Sequence, residues 1–257
     1  MRITTNNYYS QNPQFGAWQR NVYKSTGTQT LTKELAYRND TSFFRDDLLW
    51  DVLVRYLKDK YSDVSKVNIY NYACSNGSEA FSIIMKLLSA YGEKLSEKFF
   101  PIIAKDVDSL AISNAKSNSV PINWYETSKI KMQTNDGFEK YFIKDFSSNW
   151  HDGETSFYCP TKLLTDRVQF SNADILKDYK NIKAENSVVF ARNFWPYLEK
   201  DIPKLIARLS EQLGKNSTII IGNYDIRGCK NYGIDLKSEL AKRGFIDYED
   251  ALILEKI

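Results

Sequence analysis

Three observations along the 257-residue chain predict an α/β fold with a mostly parallel, doubly wound sheet. Short apolar runs alternate with helical patterns over most of the sequence, as in βα units whose sheet is covered on both faces. One such run, Val67-Asn68-Ile69-Tyr70, enters a small polar loop with a glycine and then opens a helix, Asn71 to Ser82. The chain ends on helix, strand, short turn and strand, which predicts an antiparallel hairpin at the sheet edge.

Taken in order, residues 1 to about 40 are polar and weakly periodic, read as an arm or reduced cap with a short helix near Lys33 to Tyr37. From Asp46 the pattern turns helical, with Leu48, Leu49, Val52, Leu53, Tyr56 and Leu57 on one face. The first strand is expected near Val67 to Ala73, followed by a helix that buries Phe81, Ile83, Ile84, Leu87, Leu88 and Tyr91. A second strand, Phe100 to Ala104, precedes a helix from Ser109 to Ser117. The stretch from about Val120 to Asp166 breaks the alternation and reads as an inserted aromatic and polar subdomain, with a helix around Gly137 to Phe142 and a hairpin-like region. The rhythm resumes with strands at Val168 to Phe170, Ser187 to Ala191 and Thr218 to Ile221. Helices are expected from Ile202 to Leu213, with Pro203 in the first turn, and from Ile234 to Lys242. The closing strands fall near Phe245 to Tyr248 and Ala251 to Glu255.

Composition removes several function classes. Lys+Arg number 35 against 32 Asp+Glu, with the charges dispersed, so no nucleic-acid footprint is expected. No run approaches the roughly 18 to 20 apolar residues of a membrane span, and no signal-peptide core is present. Cys74, Cys159 and Cys229 are far apart without a CxxC, which points to a reducing, cytoplasmic setting without disulfides or zinc. His151 is the single histidine and sits in a polar stretch; no Ser/His/Asp triad and no metal site are expected.

Candidate site residues fall at the carboxyl ends of strands, where ligands bind in such sheets. Small residues from Ala73 to Gly77 allow close backbone approach, and Glu79 on the first helical turn suits a ligand with an ammonium group. The competing reading of Glu79 is a first-turn acid favoured by the helix dipole. Asp106 after the second strand is placed for the hydroxyls of a ribose, while Asp108 reads as a helix N-cap. Asp174 beside Ile175 and Leu176 suits an adenine, its carboxylate accepting the amino group; an Asx turn is the alternative. Arg192 and Tyr197, past the fourth strand, are not needed for packing, whereas Trp195 reads as a packing residue.

These pieces, in this order, resemble the chemoreceptor glutamate methyltransferases, the CheR family. Thr41-Ser42-Phe43-Phe44-Arg45 matches a TxFFR signature, and NYACSNGSEAFSI is similar to the family's cofactor loop. IIAKDVDSLAISNAK, GFEKYFIK, VQFSNADIL and VVFARNFWPYLEK resemble successive blocks across about residues 38 to 257. The resemblance implies a Rossmann-like class I methyltransferase domain over 41–257, with seven strands and an inserted subdomain at about 120–166. It implies S-adenosylmethionine as cofactor, S-adenosylhomocysteine as product, and a protein glutamate as methyl acceptor. By this likeness Thr41 and Arg45 face the cofactor and reaction centre, together with Ala73 and Gly77. Glu79 holds the methionine ammonium, Asp106 the ribose, and Asp174 with Ile175 the adenine. Arg192 and Tyr197 border the acceptor, and Arg45, Arg192 and Tyr197 form the catalytic set.

The chain also departs from the family pattern. Only about 40 polar residues precede Thr41, without a basic receptor-reading stripe, which weakens the expectation of a chemoreceptor partner. Ser78-Glu79-Ala80-Phe81 stands where Glu-Glu-Pro-Tyr is usual. A second reading is a member that binds the cofactor or a partner without methyl transfer. The oligomeric state is not encoded in any pattern recognised in the sequence.

Overall fold

The structure is a computed structural model that describes residues 41–146 and 155–257. The polar arm at residues 1–40, its expected helix at Lys33 to Tyr37, and His151 lie outside the described residues.

The elements run β1 (Asn68–Tyr72), β2 (Ile102–Asp106), β3 (Val120–Asn123), β4 (Phe142–Lys144), β5 (Thr155–Pro160), β6 (Val168–Asn172), β7 (Ser187–Ala191), β8 (Thr218–Ile220), β9 (Phe245–Asp247) and β10 (Ile253–Lys256). The helices are α1 (Trp50–Lys60), α2 (Ser78–Ser96), α3 (Ser109–Ala115), α4 (Trp124–Gln133), α5 (Phe138–Tyr141), α6 (Lys162–Thr165), α7 (Ile175–Asp178), α8 (Ile202–Gln212), α9 (Asn223–Lys230) and α10 (Leu236–Ala241).

Seven strands form one sheet in the order β6-β2-β1-β7-β8-β10-β9. The five strands from β6 to β8 pair in parallel, and β10 runs antiparallel to both β8 and β9. The sheet is therefore doubly wound, with its switch point between β1 and β7, and it closes on the antiparallel hairpin that the sequence predicts. This strand order defines the class I methyltransferase fold.

Strand alternation distributes the core over both faces of the sheet. Ile69, Val188 and Phe190 pack with Phe81, Ile84 and Leu57 on one face. Tyr70, Tyr72, Val189 and Ala191 pack on the other, against Leu205, Ile206 and Leu209 of α8. Each fully buried aliphatic side chain of α8 contributes about 1.5–3 kcal/mol relative to exposure. Burial on both faces is why β7 reads as an uninterrupted apolar run.

The stretch between α3 and β6 folds as a separate antiparallel sheet, β3-β5-β4, with α4 and α5 packed beside it. The hairpin-like pairing is present between β4 and β5, in the register Phe142↔Pro160. Four helices that the periodicity does not predict appear: α4, α9 and the single-turn α6 and α7. The apolar face of α4 is weak, with only Lys129 and Ile130 buried. A capping box starts it: Asn123 Oδ1 accepts from Glu126 N at 2.8 Å, and Glu126 Oε2 accepts from Asn123 N at 3.3 Å. The face of α1 also differs from the expected one. Leu49 is exposed and Trp50 is buried, because Trp50 Nε1 donates to the Arg45 carbonyl at 3.2 Å and its ring meets Phe44 edge-on. No helix among the described residues is long and apolar enough to cross a membrane.

Candidate functional site

The loop between β1 and α2 carries three positive-φ residues, Ala73 (54°), Ser75 (50°) and Gly77 (89°). Two of them are not glycine, so backbone strain is concentrated here, as is common at ligand sites. The loop is tied down by Ser75 N donating to Asp106 Oδ2 at 2.8 Å, and by Cys74 N donating to the Lys105 carbonyl at 3.1 Å. Asn76 Oδ1 accepts from Ser78 N at 3.1 Å and occupies one free donor at the start of α2.

Beyond the carboxyl ends of β1, β2, β6 and β7 lies a cavity of about 280 Å³. Thr41, Arg45, Ala73, Glu79, Asp106, Asp174, Ile175, Arg192 and Tyr197 all line it. The structure thus brings together nine of the ten site residues read from the sequence. Gly77 is the one that does not line it; its open α-carbon faces the ring of Phe170 instead.

Glu79 is 7 % exposed. Its Oε2 accepts from Asn71 Nδ2 at 3.0 Å, and its Oε1 accepts from Arg192 Nη1. Arg192 is buried, and its Nη2 donates to Asp47 Oδ1. Burial works against the Arg192 charge, but Glu79 and Asp47 outweigh it and raise its pKa.

Asp106 accepts from Ser75 N through one oxygen and from Asp108 N at 2.9 Å through the other. Burial raises its pKa above the usual carboxylate range. Asp108 lines the cavity and also caps α3 through Leu110 N at 2.8 Å. Asp174 caps α7 in the same way, accepting from Leu176 N at 2.9 Å, so its two readings coexist in one side chain.

At the end of β7, Trp195 is buried, donates Nε1 to the Ala191 carbonyl at 2.7 Å and stacks on Phe194. Asp225, at the start of α9, accepts from the backbone N–H groups of Asn193 (2.7 Å), Gly222 (2.8 Å) and Trp195 (3.1 Å). Complete burial pushes its pKa up to about 7 against these bonds.

Sequence reasoning missed Asp47, Asn71, Tyr72, Phe194 and Asp225. Asp225 had a usable signal, as an early acid past the strand Thr218 to Ile221. Asp47 had only its adjacency to the TxFFR segment.

The donor set fits S-adenosylmethionine. Acids from three strand ends suit an ammonium, a ribose diol and an adenine amino group, and Tyr72, Ile175, Leu176 and Phe194 supply apolar walls. The Asp106 carboxylate, with about four lone-pair sites, retains accepting capacity beyond its bonds to the loop backbone.

The family that the chain matches agrees with this fit. The family model described as "CheR methyltransferase, SAM binding domain" matches residues 39–231. A chemotaxis protein methyltransferase of Borreliella burgdorferi is 26% identical over 223 residues, covering 81% of this chain and 72% of that protein. Chemotaxis protein methyltransferase 2 of Pseudomonas aeruginosa is 22% identical over 189 residues, covering 72% of this chain and 62% of that protein. Among solved structures, the N-methyltransferase NodS of Bradyrhizobium japonicum in complex with S-adenosylhomocysteine aligns at 14% identity with a TM-score of 0.40, over 89% of this chain and 88% of that one.

Proposed function

The chain belongs to the CheR methyltransferase family and is an S-adenosylmethionine-dependent methyltransferase; from that premise we propose that its acceptor is a protein carboxylate, converted to a glutamate methyl ester. The observation that carries this reading is Arg45. It lines the cavity, and among the described residues no carboxylate forms an ion pair with it, whereas Arg192 has two. An uncommitted guanidinium in a cavity whose other charged residues, Arg192 apart, are acids is a receptor for an incoming carboxylate, which it can hold through paired hydrogen bonds.

When bound, S-adenosylmethionine supplies a sulfonium methyl group that a carboxylate oxygen displaces in line, with no proton to remove. The protein therefore needs no general base, in keeping with a chain that has one histidine. Glu79 holds the ammonium, Asp106 the ribose hydroxyls, and Asp174 with Ile175 the adenine. Thr41, Ala73 and the adjoining loop backbone border the methionyl chain. Arg45 orients the acceptor oxygen toward the methyl carbon, the reacting atoms needing an approach of about 3–3.5 Å. Its role is positioning, because a tight grip on the ionised ground state would slow transfer. Tyr197 and Arg192 border the acceptor side, with Arg192 acting through Glu79. The domain organisation proposed is a methyltransferase domain over 41–257, with the stretch at about 120–166 that carries β3-β5-β4 as a subdomain inserted within it, preceded by residues 1–40 as an arm or reduced cap.

The relatives' names refer to chemotaxis; for this chain the proposal stops at a protein carboxylate. The test is to incubate the protein with cell extract and methyl-labelled S-adenosylmethionine. Label on protein, released as methanol in base and lost in Arg45→Ala and Glu79→Ala, supports the reading. Base-stable label moves the acceptor to nitrogen or another atom. Tight cofactor binding with no labelled product from any extract favours the non-transferring reading.

A further inference from the structure

We propose that Asp47 keeps Glu79 available to the cofactor's ammonium by holding the opposite edge of the Arg192 guanidinium. The inference rests on the reading of Glu79 as the ammonium-binding group. Glu79 alone with a buried Arg192 would form a neutral pair, with the guanidinium repelling an incoming cation. The geometry avoids that outcome. Nη1 of Arg192 goes to Glu79 and Nη2 to Asp47, so two carboxylates share one cation and the triad carries a net negative charge. A third carboxylate, Asp225, binds the N–H of Asn193 next along the chain. Burial raises its pKa, against the backbone bonds and the nearby Arg192 charge that both lower it.

Asp47 is itself fixed, since its Oδ2 accepts from Asn223 N at 3.2 Å. Gly222 makes room for this arrangement. A Cβ there would lie 2.8 Å from Asn193 Oδ1 and 3.1 Å from oxygens of both Asp225 and Asp47. Asp47 lies two residues beyond Arg45, so the same contact anchors the segment that carries Arg45 over the cavity. Asp47 is thus a positioning residue: it acts on the ligand through Arg192 and Glu79.

The experiment compares S-adenosylhomocysteine with its analogue lacking the α-amino group, by titration calorimetry on the full chain, Asp47→Asn and Asp47→Glu. The wild type should prefer the amino ligand. Asp47→Asn should lose on the order of tenfold in affinity for the amino ligand, as expected for removing one nearby charge, and stay within about twofold for the deamino one. Asp47→Glu should keep the wild-type ratio. Equal losses for both ligands in Asp47→Asn, or no loss for either, overturn the inference. A collapsed ratio in Asp47→Glu overturns it as well, even if Asp47→Asn does not fold. If the wild type binds both ligands equally, the ammonium reading of Glu79 is what fails.

Discussion

Gly77 and Phe170 are in steric register: a Cβ on Gly77 would stand 2.7 Å from Cζ of the Phe170 ring. The glycine therefore serves the packing of the β1–α2 loop against β6, in addition to the positive φ of 89° at the start of α2. Gly77→Ala should lower stability by about 2–3 kcal/mol, combining a left-handed backbone penalty with overpacking. Urea unfolding checks this. Phe170→Leu in the Gly77→Ala background should recover part of the loss, which isolates the steric share from the backbone share. An unchanged double variant would leave the backbone as the whole cause.

Arg192→Lys should be severely destabilising despite conserving charge. A lysine offers one point of positive charge where the guanidinium spans Glu79 and Asp47 at once. Leaving Glu79 without its partner costs about 3–5 kcal/mol, and releasing the more exposed Asp47 instead costs less. The loss should appear in chemical denaturation, and cofactor affinity should fall with it. If Arg192→Lys unfolds at the wild-type denaturant midpoint, the two-carboxylate bridge has no weight in stability.

Those two sites show where the sequence could and could not be read. Glu79, Asp106, Asp174 and Arg192 were legible because each follows a strand, and strand ends of a doubly wound sheet converge on one cavity. The partners were not legible. Asp47 lies 145 residues from Arg192 along the chain, and no local pattern joins them. Gly77 was legible as a turn residue, but its neighbour Phe170 depends on how β6 sits beside β2. Helix α4 was hidden for another reason: it buries little, so it left no apolar stripe, and only the Asn123–Glu126 capping box marked it. The mostly parallel sheet and its terminal hairpin followed from the βα alternation, whereas the order of the strands came from the structure.

Asp225 should make cofactor binding pH-dependent. Burial holds its pKa at about 7 in the folded protein, so part of the population is protonated near neutrality. Because the folded value is raised, Asp225 favours folding most at low pH, and that contribution is lost as pH rises toward 7. A bound ammonium near Glu79 and Arg192 favours the ionised carboxylate. S-adenosylhomocysteine affinity should therefore rise between about pH 6 and pH 7.5, by less than tenfold per unit, with proton release on binding. Calorimetry in buffers of different ionisation enthalpy measures that release. In Asp225→Asn the release should vanish; a wild type that releases no proton over this range would remove Asp225 from the linkage.

The cavity wall that carries Asp174, Ile175 and Leu176 is stapled to the sheet at the far end of α7. Asp178 accepts from the Tyr72 hydroxyl at 2.5 Å, pairs with Lys105, and accepts from Asn181 Nδ2 at 2.7 Å. Burial alone would raise its pKa, but Lys105, Tyr72 and Asn181 outweigh that and hold its carboxyl below the usual carboxylate range. With a depressed folded value, the stabilisation is fully present above the ordinary carboxylate pKa near ~4 and is lost as pH falls through the folded value. Asp178→Asn should cost about 2 kcal/mol at neutral pH, less than a fully buried pair because both side chains keep some exposure. The cost should shrink on acidification below about pH 4, which thermal melts across pH would follow. Cofactor affinity should drop with the wall loosened, while the rate at saturating cofactor stays close to wild type, because Asp178 does not line the cavity. A variant with unchanged cofactor affinity would show that α7 is held by its other contacts, the Asp174 cap and the Arg208 bond to the Leu176 carbonyl.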